Sequence, residues 1–271
     1  MDESTSTQSG GRSDASSVLA AARARWCGAY ALNLYLPGSL AARWLRDYGR
    51  ALRGVRKADE HATRLPPAAW SDLLERKPIR LVETDKADGN VNLAELAILA
   101  QAAAAIPADT IIVEIGTFDG RTTLNLAVNA ATQASVMTLD LPPDDKALYA
   151  LAPGERQYVD KPQPGARIRA CGPPWQAAAR RITQLHGDSA TFDWSPYRGR
   201  AGLVFVDGSH AYDYVRKDSE TAMRLVAQGG MVLWHDYGRW EGVSRALDEL
   251  ESQRGLGLRH ILGTSLVFWR A

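Results

Sequence analysis

The segment Thr110-Ile111-Ile112-Val113-Glu114-Ile115-Gly116-Thr117-Phe118-Asp119-Gly120-Arg121-Thr122-Thr123 constrains the fold more than any other stretch of the 271 residues. Its first four residues form a short β-branched run, which reads as a buried parallel strand. Thr122 to Val128 reads as a helix. A strand, a glycine turn and a helix make the first half of a nucleotide-binding α/β unit. Gly116 permits a tight exit from the strand, and Gly120 lets the helix begin close to the sheet.

The glycine spacing selects among ligands. A dinucleotide fold needs G-x-G-x-x-G, whose middle glycine lets a pyrophosphate touch the backbone. Phe118 holds that middle position here, and its ring would crowd a pyrophosphate. The carboxylate Glu114 is expected to point out of the strand end instead. The pattern E-x-G-x-x-x-G resembles the first motif of class I S-adenosylmethionine (SAM)-dependent methyltransferases. SAM has an ammonium, a sulfonium and a ribose diol but no phosphate, so acids suit it better than a phosphate cradle.

Composition narrows the function classes. The 32 Lys+Arg against 31 Asp+Glu leave a formal charge of +1, without the basic excess of a nucleic-acid binder. Cys27 and Cys171 lack metal spacing and read as two free thiols in a reducing cytoplasm. No apolar run reaches transmembrane length, and Asp2 and Glu3 stand where a signal peptide would be basic. A cytoplasmic location is the expectation.

Residues 1–17 are polar and read as a disordered tail. Residues 18–90 read as a helical arm and connecting segment. Its two helices, about Val18–Tyr35 and Ser39–Arg56, break at Pro37. Arg43, Arg46, Arg50, Arg53 and Arg56 recur at helical spacing. They read as a solvated face, or as peripheral contact with an anionic membrane, or as a dimer arm that would make a homo-oligomer. A helix from about Leu93 to Ala105 is expected, with Asn92 and Glu95 as a capping box.

Residues 91–271 alternate strands and helices. Further strands are expected at Ala134–Asp140, Ile182–His186, Ala201–Val206 and Met231–Trp234. A helix is expected at about Ala211–Ala227, with Asp218 as a buried hydrogen-bonder, and another at Trp240–Gln253. A closing hairpin is expected about Gly263-Thr264. The Pro/Gly-rich stretch 141–180 is too long for an ordinary crossover; Tyr149, Tyr158 and Trp175 give it something to pack, so it reads as a lid. Glu114, Asp140, Asp207 and Asp236 stand at strand ends, where ligands of doubly wound sheets bind. Asp188 lies just past another, either as a ligand acid or as a turn cap.

The segments V-D-G-S-H-A-Y-D-Y-V-R-K-D and G-G-M-V-L-W-H-D-Y resemble the bacterial SAM-dependent methyltransferase family often called type 24, over about Asn90 to Phe268. The resemblance implies an α/β, Rossmann-like, doubly wound seven-stranded sheet with an antiparallel last strand. It implies that SAM is held by Glu114, Gly116, Phe118, Asp119, Gly120, Thr122, Asp140, Asp188, Ser189 and Asp207. Catechol-type relatives hold Mg²⁺ at positions matching Asp207, His235 and Asp236. An imidazole at His235 departs from that pattern and suits Mn²⁺, Zn²⁺ or Fe²⁺ better, or no metal. His210 stands where those relatives place a lysine base, and a near-neutral histidine suits proton removal. The expected function is O-methylation of a small-molecule or sugar hydroxyl, metal-assisted or not. An N-methyltransferase, a nicotinamide-dependent oxidoreductase and a non-catalytic SAM-binding module are the alternatives, Phe118 arguing against the nicotinamide.

Overall fold

The protein's computed structural model describes residues 63–271 apart from 143, 161 and 162. The tail, the two-helix arm, its arginine face and Cys27 lie outside the described residues.

Apolar runs that alternate between two cores define the sheet. Its strands are β1 (Pro67–Ala68), β2 (Ile111–Ile115), β3 (Val136–Asp140), β4 (Ile182–His186), β5 (Ala201–Val206), β6 (Val226–Trp234), β7 (Arg259–Ile261) and β8 (Val267–Arg270). They lie in the order β1-β7-β8-β6-β5-β2-β3-β4. All neighbours pair in parallel except β8, which runs antiparallel to both β6 and β7. The sheet therefore has eight strands where seven were expected. The additional strand is the two-residue β1, paired with β7. Prolines on an edge strand cost no ladder bond, so the sequence there reads as a linker.

The helices are α1 (Trp70–Leu73), α2 (Leu93–Ala104), α3 (Arg121–Asn129), α4 (Arg156–Val159), α5 (Ala166–Ala170), α6 (Gln176–Ala179), α7 (Tyr212–Leu225) and α8 (Glu241–Arg254). Asn92 and Glu95 form the capping box of α2 as expected. Helix α7 ends two residues early because Val226 is already extended and opens β6.

Side chains alternate across each strand, and both faces are buried. Val113, Ile115, Val204 and Val232 pack against Val215, Ala222 and Leu225 of α7 and Val243 and Leu247 of α8. Ile112, Val136, Leu203 and Phe205 pack against Leu96 and Leu99 of α2 and Leu126 of α3. Each such side chain contributes about 1.5–3 kcal/mol relative to exposure. This sandwich fixes the carboxyl ends of β2, β3, β5 and β6 along one crevice. The crossover from β3 to β4 carries α4, α5 and α6 and docks over the turn after β2. Gly165 N–H donates to Phe118 O at 2.7 Å and Arg167 N–H to Asp119 O at 2.9 Å.

Candidate active site

The turn after β2 is built on close backbone approach. Gly116 has φ +101°, and a Cβ there would overlap the carbonyl of Asp207 at the end of β5. Gly120 has φ +88°, and a Cβ there would lie 2.6 Å from Ile168 Cγ1. That glycine thus makes room for the crossover rather than only for the sheet. Phe118 adopts φ +49° and Asp236 φ +64°. Such angles are uncommon outside glycine and concentrate at functional sites. The Phe118 N–H donates to Asp140 Oδ2 at 2.7 Å, which aims the acid of β3 at the turn.

Glu114 does not leave the strand end: it is wholly buried and accepts hydrogen bonds from the hydroxyls of Thr123 and Thr138. Parallel pairing on both sides of β2 puts it inside the sheet's helix-covered face. Burial pushes its pKa up to about 8, against the two threonine hydrogen bonds. A carboxyl whose folded pKa exceeds its unfolded value of 4.5 favours folding when protonated. The stability it lends is full below about pH 4.5 and is lost as pH rises through about 8. Urea unfolding of the wild type should therefore show a few kcal/mol lost across that window, of the order that such a shift implies. In Glu114→Gln that part of the slope should vanish; equal slopes in the two proteins would refute the assignment.

Asp119 is committed to the fold. It accepts from Asn90 Nδ2 at 3.0 Å, Arg121 N–H at 2.9 Å and Arg167 Nε at 2.8 Å. Arg167 also reaches Glu83 at 3.1 Å and Asp85 at 2.9 Å. Asp188 accepts from Leu148 N–H at 2.6 Å, Tyr214 Oη at 2.8 Å and Ala190 N–H at 2.8 Å. It thus ties the crossover to α7 while capping its own turn. Ser189 follows it at the end of β4, and Thr122 is buried in the first turn of α3. Asp218 is wholly buried as expected, and burial raises its pKa to about 7 against the opposing contact of the Ser189 hydroxyl.

At the ends of β5 and β6, Asp207, His210, His235 and Asp236 come together. His235 Nδ1 lies 2.9 Å from Asp207 Oδ1 and 3.4 Å from Asp236 Oδ2. Its Nε2 lies 3.3 Å from Glu95 Oε2. Burial opposes protonation, but Asp207, Asp236 and Glu95 overcome it and hold the His235 pKa well above its usual value. Asp236 resists its own burial because His235 and His210 hold it well below the usual carboxylate range. Two charged acids so close favour a cation between them, which a protonated His235 would supply, although burial raises the Asp207 pKa in spite of it. His235 thus stands against both acids of the expected metal set, with Glu95 beyond its Nε2.

His210 Nε2 lies 2.8 Å from Asp236 Oδ2. Its ring stacks on Trp240 with centroids 4.3 Å apart and planes 7° off parallel. The edge of Tyr158 completes the enclosure at 6.3 Å. Burial would lower its pKa, but Asp236 and Glu155 raise it to about 9. The two flanking carboxylates thus favour the protonated ring, above the near-neutral pKa expected. Asp207, His210 and Asp236 each offer an atom within 4.8 Å of the others, which is a donor set for a divalent ion. The imidazole in that set is that of His210, and His235 lies 2.9 Å from its Asp207.

Three residues at this site escaped the sequence reading. Glu95 was read as a cap. It also accepts from Ser265 N–H and Oγ, both at 2.8 Å, and faces His235. Its hydrogen bonds and His235 hold its pKa at about 2 despite burial. Glu155 and Trp240 gave no periodic or motif signal.

Residues 113–237 match the Methyltransf_24 family, a methyltransferase domain. A search of curated proteins finds no match. Among solved structures, the O-methyltransferase TomG from Streptomyces achromogenes, in complex with SAM, is similar at 17% identity and TM-score 0.48, covering 71% of this chain and 92% of that one. The O-methyltransferase from Bacillus cereus in complex with SAH is similar at 16% identity and TM-score 0.46, covering 68% and 84%. A TDP-rhamnose 3'-O-methyltransferase of calicheamicin biosynthesis is similar at 14% identity and TM-score 0.46, covering 65% and 77%. The match makes residues 113–237, just under half of the chain, similar to a methyltransferase domain.

Proposed function

We propose that the protein methylates a hydroxyl of a small-molecule or sugar acceptor, with His210 removing the hydroxyl proton. The observation that carries this reading is the seating of His210 between Asp236 and Trp240 at the end of β5. The donor set at the β2 and β3 ends fits SAM: an acid, Asp140, aimed by Phe118 N–H, beside a glycine turn whose middle residue excludes a pyrophosphate. SAM supplies the electrophilic methyl group. His210, in its deprotonated form, takes the proton of the acceptor hydroxyl as the oxygen displaces S-adenosylhomocysteine from the methyl group, and the carboxylate of Asp236 balances the charge of the imidazolium that results. Orientation and proton removal are all such a displacement asks of the protein.

A metal-assisted variant is favoured by a separate observation, the donor set of Asp207, His210 and Asp236. A mixed imidazole and carboxylate set suits Mn²⁺ or Zn²⁺ and admits Mg²⁺. A divalent ion held there would lower the pKa of the acceptor hydroxyl. The small-molecule acceptor and the cytoplasmic setting belong to this reading. No helix among the described residues is long and apolar enough to cross a membrane.

Calorimetry with SAM, S-adenosylhomocysteine and NAD tests the cofactor, and S-adenosylhomocysteine release over a panel of catechols and nucleotide sugars tests the reaction. Asp140→Ala should weaken SAM by about 1.5–3 kcal/mol, the value of a charge-assisted hydrogen bond. Tight NAD binding with a silent SAM titration would overturn the reading.

A further inference from the structure

We propose that Glu155 is a positioning residue for His210, carried by the crossover, so that the site is complete only when the crossover is seated. The inference rests on His210 working in the reaction, as proposed above.

Burial singles Glu155 out. From 141 to 164 it is the one buried residue among those described, and it is 1% exposed. A surface segment normally buries an apolar anchor. A carboxylate buried instead needs partners, and its partners lie on the loop that bears His210. Oε1 accepts from His210 N–H at 2.6 Å, and Oε2 accepts from the Ser209 hydroxyl at 3.1 Å. Oε2 also accepts from Ala152 N–H at 2.7 Å, which folds the crossover around the carboxylate. Oε1 stands 3.1 Å from His210 Nδ1, at ion-pair distance.

The ring of His210 is thus fixed from two sides. Asp236 and Trp240 hold it from the body of the domain. Glu155 and Tyr158 hold it from the crossover. If the crossover lifts, Nδ1 loses its carboxylate and the 209–210 backbone loses its acceptor. The ring then keeps only Asp236 at Nε2 and the stack on Trp240. Three further ties seat the crossover beside Glu155. Arg167 bridges Glu83, Asp85 and Asp119. Leu148 N–H reaches Asp188, and Tyr149 packs edge-on against Tyr214 with centroids 5.2 Å apart. An acceptor admitted with the crossover open would meet an ordered His210 only after closure, which keeps proton removal in a site shielded from water.

The test uses the full chain labelled with ¹⁵N-histidine, with His210→Ala identifying the His210 ring signals. Glu155→Gln is nearly isosteric and keeps one acceptor oxygen. It should shift or broaden the His210 ring signals while leaving those of His235 in place. Its SAM affinity, by calorimetry, should stay within about twofold, and its turnover should fall roughly 10–100-fold, the usual loss for a supporting partner. In the His210→Ala background the same change should cost nothing further, because residues acting through one another are not additive. Unchanged His210 ring signals would overturn the inference, as would losses that simply multiply in the double variant. Wild-type turnover in His210→Ala alone would instead remove the reading of His210, which keeps the two failures apart.

Discussion

His210→Ala is expected to lower turnover about 10²–10⁴-fold, the loss typical of a general base, with SAM affinity nearly unchanged. The ring sits at the end of β5, clasped by Asp236, whereas SAM is read at the ends of β2 and β3. The pH profile carries a second signature. His210 has its pKa raised to about 9 by Asp236 and Glu155 in spite of burial. A base must be deprotonated to act, so the wild-type rate should climb with pH up to about 9 and level off beyond it. A chelator separates the two variants of the mechanism. If Asp207, His210 and Asp236 hold a divalent ion, chelation should abolish activity, and Mg²⁺, Mn²⁺ or Zn²⁺ should restore it. The ion would also compete with the proton on His210 and move the rise to lower pH. Full activity in chelator with the rise at about 9 leaves His210 as the base. Wild-type turnover in both His210→Ala and Asp207→Ala would remove the site.

Gly116→Ala should be the most damaging single methyl in the domain. The position has φ +101°, where an L side chain is strained, and the added Cβ would lie 2.6 Å from the carbonyl carbon of Asp207. Neither wall can give, because both are backbone at the ends of adjacent parallel strands. Strain and overlap together cost roughly 2–6 kcal/mol, against a typical domain stability of about 5–15 kcal/mol. Gly154→Ala is the matched control. It has φ +85° with nothing within 4 Å of the added Cβ, so it should lose only the strain. Urea midpoints of the two variants decide the matter. A Gly116→Ala protein as stable as Gly154→Ala would mean that β2 and β5 do not approach as described.

The sheet and the position of its crevice were legible because both depend on local patterns. Short apolar runs rich in β-branched residues mark β2, β3, β5 and β6, and an acid stands in or within two residues of the end of each. Asn92 and Glu95 announce the start of α2 through a contact three residues apart. Such signals survive in one dimension because the interacting groups are neighbours in the chain.

What the sequence could not convey is which way each acid and histidine turns. Glu114 and Asp140 look alike as strand-end acids, yet pairing on both sides of β2 buries Glu114 against Thr123 and Thr138. His235 and His210 look equally fit as ligand or base. Their settings differ through Glu95, 140 residues before His235 in sequence, through Trp240 beneath His210, and through Glu155, 55 residues before it. The sequence by itself determined the α/β sheet, its parallel order around the glycine turn and the gathering of acids at one edge, since hydrophobic periodicity and turn chemistry are local. Only the tertiary structure decided that Glu114 is buried, that His235 lies between Asp207 and Glu95, and that His210 stacks on Trp240. Those outcomes follow from burial and from charges brought together across long stretches of chain.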